Sequence, residues 1–223
     1  NTTGQFTGQN FQLDIFQVPE QGNPLELYIT KIAQQYAFIM LNLPAAQINA
    51  IADIPTAKAQ ILLDVSSTDD ALRSEQCRAN VFHLLPSRAM RADALAQLML
   101  KKRWQKWFLV VGPEPNDKLF AEALKHAAKR FGLKIVAEKT WDHTFENRRT
   151  EQADIPVFTQ VDDYDVLAVA DEQGLFGEYL AFRTWLPRPI IGTQGLIATA
   201  WHRTHEQWGA SQIQNRFKEK NAR

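Results

Sequence analysis

Apolar and polar positions follow one repeated grammar along the chain: a short apolar run, a small or polar switch, then a segment with helical spacing. The clearest copy is Trp107-Phe108-Leu109-Val110-Val111, followed by Gly112-Pro113-Glu114 and an amphipathic stretch over 117–131. The same wording recurs at 37–43, 60–67 and 164–171. Runs of this kind suit strands buried on both faces and the segments between them suit crossover helices, so the pattern predicts an α/β protein with mostly parallel sheets. Such sheets bind ligands at the carboxyl ends of their strands. Ser66-Ser67-Thr68, Asp171-Glu172-Gln173 and Thr193-Gln194 fall at those ends.

The spacing predicts a strand over 11–18, after a polar turn at 1–9, then a helix over 24–35 and a strand over 37–43. A helix begins after Pro44, a residue suited to a first helical turn, and runs to about residue 52. The strand 59–65 ends in a run of cap-forming residues, 66–70, ahead of a helix from Ala71. Next come a strand over 81–85 and a helix over 91–104 with Leu95, Leu98 and Met99 on one side. The grammar restarts at Trp107: strand, helix over 117–131 closed by Gly132, strand over 134–138. Residues 142–159, which include Arg148-Arg149, read as a polar, irregular passage. A strand over 165–170, a helix over 177–185, a strand over 189–193 and a basic amphipathic helix over 210–220, with Ile213 and Phe217 on one face, complete the pattern. The restart predicts two lobes: 1–100 as an incomplete first lobe, 101–200 as the second, and 201–223 as a crossing segment with a helix returning to the first. A sheet opening on a polar loop and a chain stopping after a helix are expected of a fragment.

Composition narrows the function. The 223 residues can bury a sizeable core, and 25 Lys plus Arg balance 25 Asp plus Glu, so no bulk field draws nucleic acid or an anionic membrane. The expected partner is a small molecule. One cysteine, Cys77, excludes an internal disulfide and a multi-cysteine zinc site. No apolar run approaches the roughly 20 residues of a membrane span. There is no signal peptide, which a mature chain would have lost.

Catalytic motifs are missing from the pattern. Neither G-x-G-x-x-G after a strand nor G-x-S-x-G occurs. Asp64 ends a strand as a phosphoacceptor would, but no acidic pair after a first strand and no lysine closing a late strand accompanies it. His202 and His205 flank Arg203 with no third ligand nearby, the pattern of surface groups rather than a metal pair. An enzyme is not expected, and no cofactor or metal.

Three phrases carry a resemblance: FHLLPSRAMRADALAQLMLKKRWQKWFLVVGPEPNDKLFAEALKHAAKRFGLKIVAEKTW, DYDVLAVADEQGLFGEYLAFRTWLPRP and GTQGLIATAWHRTHEQWGASQIQNRF. They resemble the type I periplasmic solute-binding proteins of ABC transporters, the branched-chain amino acid receptor group. More narrowly, the tryptophan-rich wording around Trp185, Trp201 and Trp208 resembles a subgroup found with pyrroloquinoline quinone dependent alcohol dehydrogenase systems. The resemblance covers nearly the whole chain. It implies the two-lobe periplasmic-binding-protein type I fold, here without the family's first strand and C-terminal elements. It also implies a periplasmic location, capture of a small solute between lobes, and delivery to an ABC permease. A sensor module reporting to a signalling partner, or an amino acid receptor, is the alternative.

Site residues follow from the same resemblance. Ser66, Ser67 and Thr68 match the family's hydroxyl-bearing loop that holds a ligand carboxylate; a helix cap alone explains them equally. Asp171, Glu172 and Gln173 match a second-lobe turn facing the cleft, or form a solvated turn. Gln194 stands where amino acid receptors often place an acid for the ligand ammonium, and without that acid a free amino acid is poorly paired. Arg88, Arg91 and Arg203 suit a polyanionic ligand, since guanidinium pairs carboxylates bidentately; each also suits a surface role. Trp201 is the indole available to stack on a planar ring. This set favours a planar, anionic, aromatic solute. The subgroup favours a compound tied to quinoprotein alcohol oxidation, and the wider family amino acids or aromatic acids.

Overall fold

Strands form where the apolar runs are short, and helices where apolar residues return every third or fourth position. The structure, a computed structural model, describes residues 7–8, 10, 12–18, 25–141, 155–202, 204–207 and 210–221. The chain divides into two units, Asn1–Ser67 with Glu75–Leu84, and Thr68–Ser74 with Leu85–Arg223.

The first unit contains α1 (Leu25–Ala33), β1 (Phe38–Leu41), α2 (Ala45–Ala52), β2 (Ile61–Asp64) and β3 (Val81–His83). The strands form a parallel sheet in the order β1-β2-β3, with Phe38 beside Ile61 and Leu62 beside Val81. Ile39, Leu41 and Leu62 are buried, as are Ile29, Ile32, Ile48 and Ile51 on the helices. Phe38, Met40, Ile61 and Phe82 are exposed instead, so these strands alternate rather than bury both faces. The strand expected over 11–18 is not formed by the described residues 12–18, which carry no ladder. Side chains hold that segment: Tyr36 Oη donates to Asp14, Tyr28 Oη donates to the Gln17 carbonyl, and Phe16 packs edge-on against Tyr36.

In the second unit, β4 (Lys106–Val111), β5 (Lys134–Thr140), β6 (Val166–Ala170) and β7 (Ile190–Gly192) pair in parallel in the order β5-β4-β6-β7. Here the doubly buried reading holds. Trp107, Leu109 and Val111 join Val166, Ala168 and Ala170 in one core cluster with α3 (Arg88–Lys102) and α4 (Pro115–Arg130), while Phe108 and Val110 join Leu167, Val169, Trp141 and Tyr164 in another. α3 sends Ala92, Leu95, Ala96 and Met99 into that first cluster. It therefore groups with the second unit, whose boundaries along the chain lie at Ser67/Thr68, Ser74/Glu75 and Leu84/Leu85. α5 (Ala210–Asn221) groups with the second unit too, not with the first.

Local chemistry moves several boundaries. α3 starts before residue 91 because Ser87 Oγ accepts from Met90 N at 3.3 Å, an N-cap, and it ends where Arg103 turns left-handed at φ 62°. Ser87→Ala is expected to cost about 1 kcal/mol, read as a lower urea midpoint at unchanged slope. The helix expected from Ala71 is one 3-10 turn, Ala71–Arg73. Its cap residues are used elsewhere, Asp70 Oδ1 accepting from Ala89 N at 2.9 Å. The helix expected over 177–185 likewise stops as a 3-10 turn, Gly177–Leu180: Phe182 takes a left-handed φ of 62° and Trp185 N donates to Thr159 Oγ1. Of the passage expected to be irregular, 142–154 lies outside the described residues and 155–158 is helical. At the far edge Gly192, with φ 115°, lets β7 lie against β6, since a Cβ there would stand 2.2 Å from the Val169 carbonyl oxygen.

Candidate functional site

Each sheet presents loops at the carboxyl ends of its strands, as parallel topology requires. In the first unit the centre of that end is Asp64, the last residue of β2 and fully buried. Its Oδ1 accepts from Ser66 N at 3.1 Å and Ser67 N at 2.8 Å, and its Oδ2 lies 2.8 Å from His83 Nδ1, at the end of β3. Ser66 Oγ accepts from Leu43 N at 3.0 Å and stands 3.1 Å from the Leu43 carbonyl, to which it donates. The Ser66 hydroxyl is thus engaged by Leu43, and the anion on the Ser66 and Ser67 amides is Asp64 itself. Thr68, in the second unit, accepts Arg88 N on its carbonyl at 2.9 Å.

The strand ends of the second unit are also organised around carboxylates. Asp171, 1% exposed, follows β6 and receives three backbone donors: Leu175 N at 2.8 Å, Phe176 N at 2.9 Å and Gly177 N at 2.7 Å. Its own amide donates to Thr193 Oγ1 at 3.0 Å, which ties the β6 end to the β7 end. Asp171 therefore shapes the turn.

Glu172 continues the pattern. Arg88 donates from Nε at 2.9 Å and Nη2 at 2.6 Å to its Oε2, and Arg91 Nη1 lies 3.4 Å from its Oε1. All three side chains are largely buried. Arg91 also lies over the Phe120 ring, 4.9 Å from its centroid. Burial lowers the Arg91 pKa from its ordinary value, against the opposing pull of Glu172. Behind them Asp117 caps α4 and accepts the Glu172 amide at 2.7 Å. Burial raises its pKa, and the amides of Glu172 and Glu114 work the other way. The cationic rim expected from Arg88 and Arg91 is thus met by an internal acid, a pairing that spacing along the chain does not reveal.

The remaining candidates are more open. Gln173 is exposed. Gln194 is half-buried, with its stem over Gly177, where a Cβ would meet Gln194 Cγ at 2.5 Å. Trp201 is exposed and packs edge-on against His205 at 5.7 Å. His202 Nδ1 pairs with Thr204 Oγ1 at 2.7 Å. Arg203 and Trp208 lie outside the described residues. Among the described residues there is no group of three metal-ligating side chains, and no helix long and apolar enough to cross a membrane. The residue missed by sequence reasoning is His83. Its signal was a lone polar side chain at the end of an apolar strand, two positions before Leu85.

Solved structures share this architecture at low identity. A leucine-, isoleucine-, valine-, threonine- and alanine-binding protein from Brucella ovis, in a closed conformation, superposes with a TM-score of 0.67 at 13% identity, covering 88% of this chain and 57% of that one. An ABC transporter substrate-binding protein from Desulfitobacterium hafniense gives 0.63 at 14%, covering 89% and 62%. A solute-binding protein of an ABC transporter from Rhodopseudomonas palustris BisB5, in complex with 3,4-dihydroxy benzoic acid, gives 0.61 at 11%, covering 88% and 60%. The chain spans about three-fifths of the length of these proteins. No curated protein sequence matches it. The shared fold is that of the type I periplasmic binding proteins. A family model described as the ligand-binding region of receptors matches residues 10–216, and the chain belongs to that receptor family ligand-binding region.

Proposed function

We propose that this protein is the solute-binding component of an ABC-type uptake system, acting in the periplasm and handing its cargo to a membrane permease. The observation that carries this reading is the family match over residues 10–216 joined to two parallel sheets with polar loops at their strand ends. Chemistry fits binding rather than catalysis: the buried carboxylates Asp64, Asp171 and Glu172 are each consumed by internal partners, so none stands free as a base.

The solute we propose is small, anionic or aromatic. Gln194 and Gln173 offer neutral amides and Trp201 an exposed indole, and Arg203, outside the described residues, is the cation that the sequence supplies. Thr68 completes the proposed contacts; Ser66 and Ser67 shape the strand-end loop of the first unit, and Arg88, Asp171 and Glu172 that of the second. A link to quinoprotein alcohol oxidation rests on the tryptophan-rich phrases alone. The similar structures are named for amino acids and a hydroxylated benzoic acid.

Calorimetric titration of the full-length protein with leucine, benzoate, 3,4-dihydroxybenzoate and the quinone tests the reading. An aromatic acid is expected to bind, and Arg203→Ala to weaken it by more than about 1.5 kcal/mol, the lower range for a charge-assisted hydrogen bond. Tight leucine binding with Arg203→Ala inert would instead favour the amino acid receptor. The receptor character of the matched family supports one other reading, a ligand-sensing module. A neighbouring histidine kinase gene, rather than permease and ATPase genes, would decide for it.

A further inference from the structure

The second unit gathers basic charge at one pole. Its four strands are parallel, so β4, β5, β6 and β7 all start at the end of the sheet opposite the strand-end loops, where α3 and α4 also finish. Lys101 and Lys102 close α3, Arg103 follows it, Lys129 lies in the last turn of α4, and Lys134 opens β5 beside Lys106. Lys101, Lys102, Arg103, Lys129 and Lys134 are all exposed, and none is in an ion pair among the described residues. The neighbouring acids are engaged elsewhere. Asp163 pairs with Lys106 at 2.9 Å and with Arg188 at 3.2 Å, and Asp165 accepts the amides of Gln105 and Lys106, which leaves Asp162 as counter-charge among the described residues. Lysines in the last turn of a helix complement its dipole, but that does not account for Arg103, beyond the helix, or Lys134, on a strand. The chain as a whole is neutral, so the concentration is local.

The loop that runs into β7 reaches the same pole and carries large aromatic side chains outward. Phe182 is 105% exposed and Trp185 55% exposed. Phe182 keeps that position on a left-handed backbone, φ 62°, which a residue with a β-carbon adopts only under constraint. Hydrogen bonds fix the loop: Trp185 N donates to the buried Thr159 Oγ1 at 2.8 Å, Thr184 Oγ1 donates to the Leu186 carbonyl at 2.6 Å, and Arg188 meets Lys106 on Asp163. Rings held in water beside unpaired cations have the chemistry of a surface that settles on an anionic bilayer, where the rings enter the interface and the cations meet the headgroups. The charges are spread over two helix ends and a strand rather than converging on one point, which fits an extended layer of headgroups and not a small anion. We propose that this pole of the second unit is a docking surface for the headgroups of an anionic lipid bilayer. It stands apart from the solute-binding reading, because it lies at the opposite end of the sheet from the loops after β6 and β7.

Co-sedimentation of the full-length protein with lipid vesicles tests the proposal. Vesicles of equimolar phosphatidylglycerol and phosphatidylcholine are expected to bind it about tenfold more tightly than phosphatidylcholine alone, and high salt to release it. Lys101→Gln, Lys102→Gln, Lys129→Gln and Lys134→Gln combined should weaken that binding about tenfold, with the melting temperature nearly kept because all four side chains are exposed. Phe182→Gly supplies a second readout. Glycine takes the left-handed φ without strain, so stability should hold while vesicle binding falls, whereas a purely structural Phe182 would lower stability and leave vesicle binding alone. Equal binding to both kinds of vesicle, or a fourfold glutamine variant that binds as the unmodified protein does, overturns the proposal. Binding to neither kind overturns it too and turns the pole over to an acidic protein partner. Calorimetry with leucine, benzoate and 3,4-dihydroxybenzoate should be unchanged in the fourfold variant, so failure of the docking surface and failure of solute binding are read separately.

Discussion

Replacing Glu172 by alanine is expected to destabilise the second unit by about 3–5 kcal/mol, because it strands two guanidinium groups that are already largely out of water. Arg88 donates twice to one carboxylate oxygen and Arg91 approaches the other, so a single truncation removes the counter-ion of both. Coulomb repulsion between the two arginines, balanced in the native protein, then acts unopposed. Glu172→Gln keeps an acceptor and should lose less. Urea unfolding read at constant slope measures the difference. An unchanged midpoint in the alanine variant would mean that the arginines reach solvent without it, and would return them to the set available to an anionic solute.

Asp171→Ala should be of similar size. Its carboxylate is the acceptor for three consecutive backbone amides, those of Leu175, Phe176 and Gly177, the last two in buried residues. Each orphaned buried amide costs about 1–3 kcal/mol, and partial rehydration of the turn limits the sum to about 3–5 kcal/mol. For a chain of this length that is a fall in melting temperature on the order of 10 °C, readable by calorimetry. A shift below about 2 °C would show that the turn finds other acceptors.

These two residues mark the limit of what the sequence reveals. The apolar runs located the seven strands of the described residues, most sharply the doubly buried β4 and β6, which have no polar interruption, and Gly132, with φ 69°, stops α4 where a glycine signal says it should. The segment 11–18 has strand-like alternation, yet alternation describes one face only and is silent on whether a neighbouring strand is present to complete a ladder. The start of α3 is legible in Pro86-Ser87, ahead of the first apolar residues of the helix. Burial and charge pairing were not legible. Arg88 and Glu172 are far apart in the chain, so nothing local distinguishes a guanidinium awaiting a ligand from one already paired. Ser66-Ser67 shows the same difficulty: a loop built to hold a carboxylate reads identically whether the carboxylate comes from a solute or from Asp64 two residues earlier.

The strand order of the second sheet has a consequence for how the chain folds. β4 is the first strand of its unit to be synthesised, but it lies between β5 and β6, and its partner on one side appears only after the whole of α4, β5 and the passage that follows. Until Val166–Ala170 emerges from the ribosome, one edge of Trp107–Val111 has no ladder partner. Non-local parallel pairing of this kind is slow, because loop closure is lost before contacts are gained. A nascent chain truncated before Val166 should therefore remain protease-sensitive and bind holdase chaperones, and one extended past Gly192 should become resistant, so commitment of this unit to the native state waits for β6 and β7.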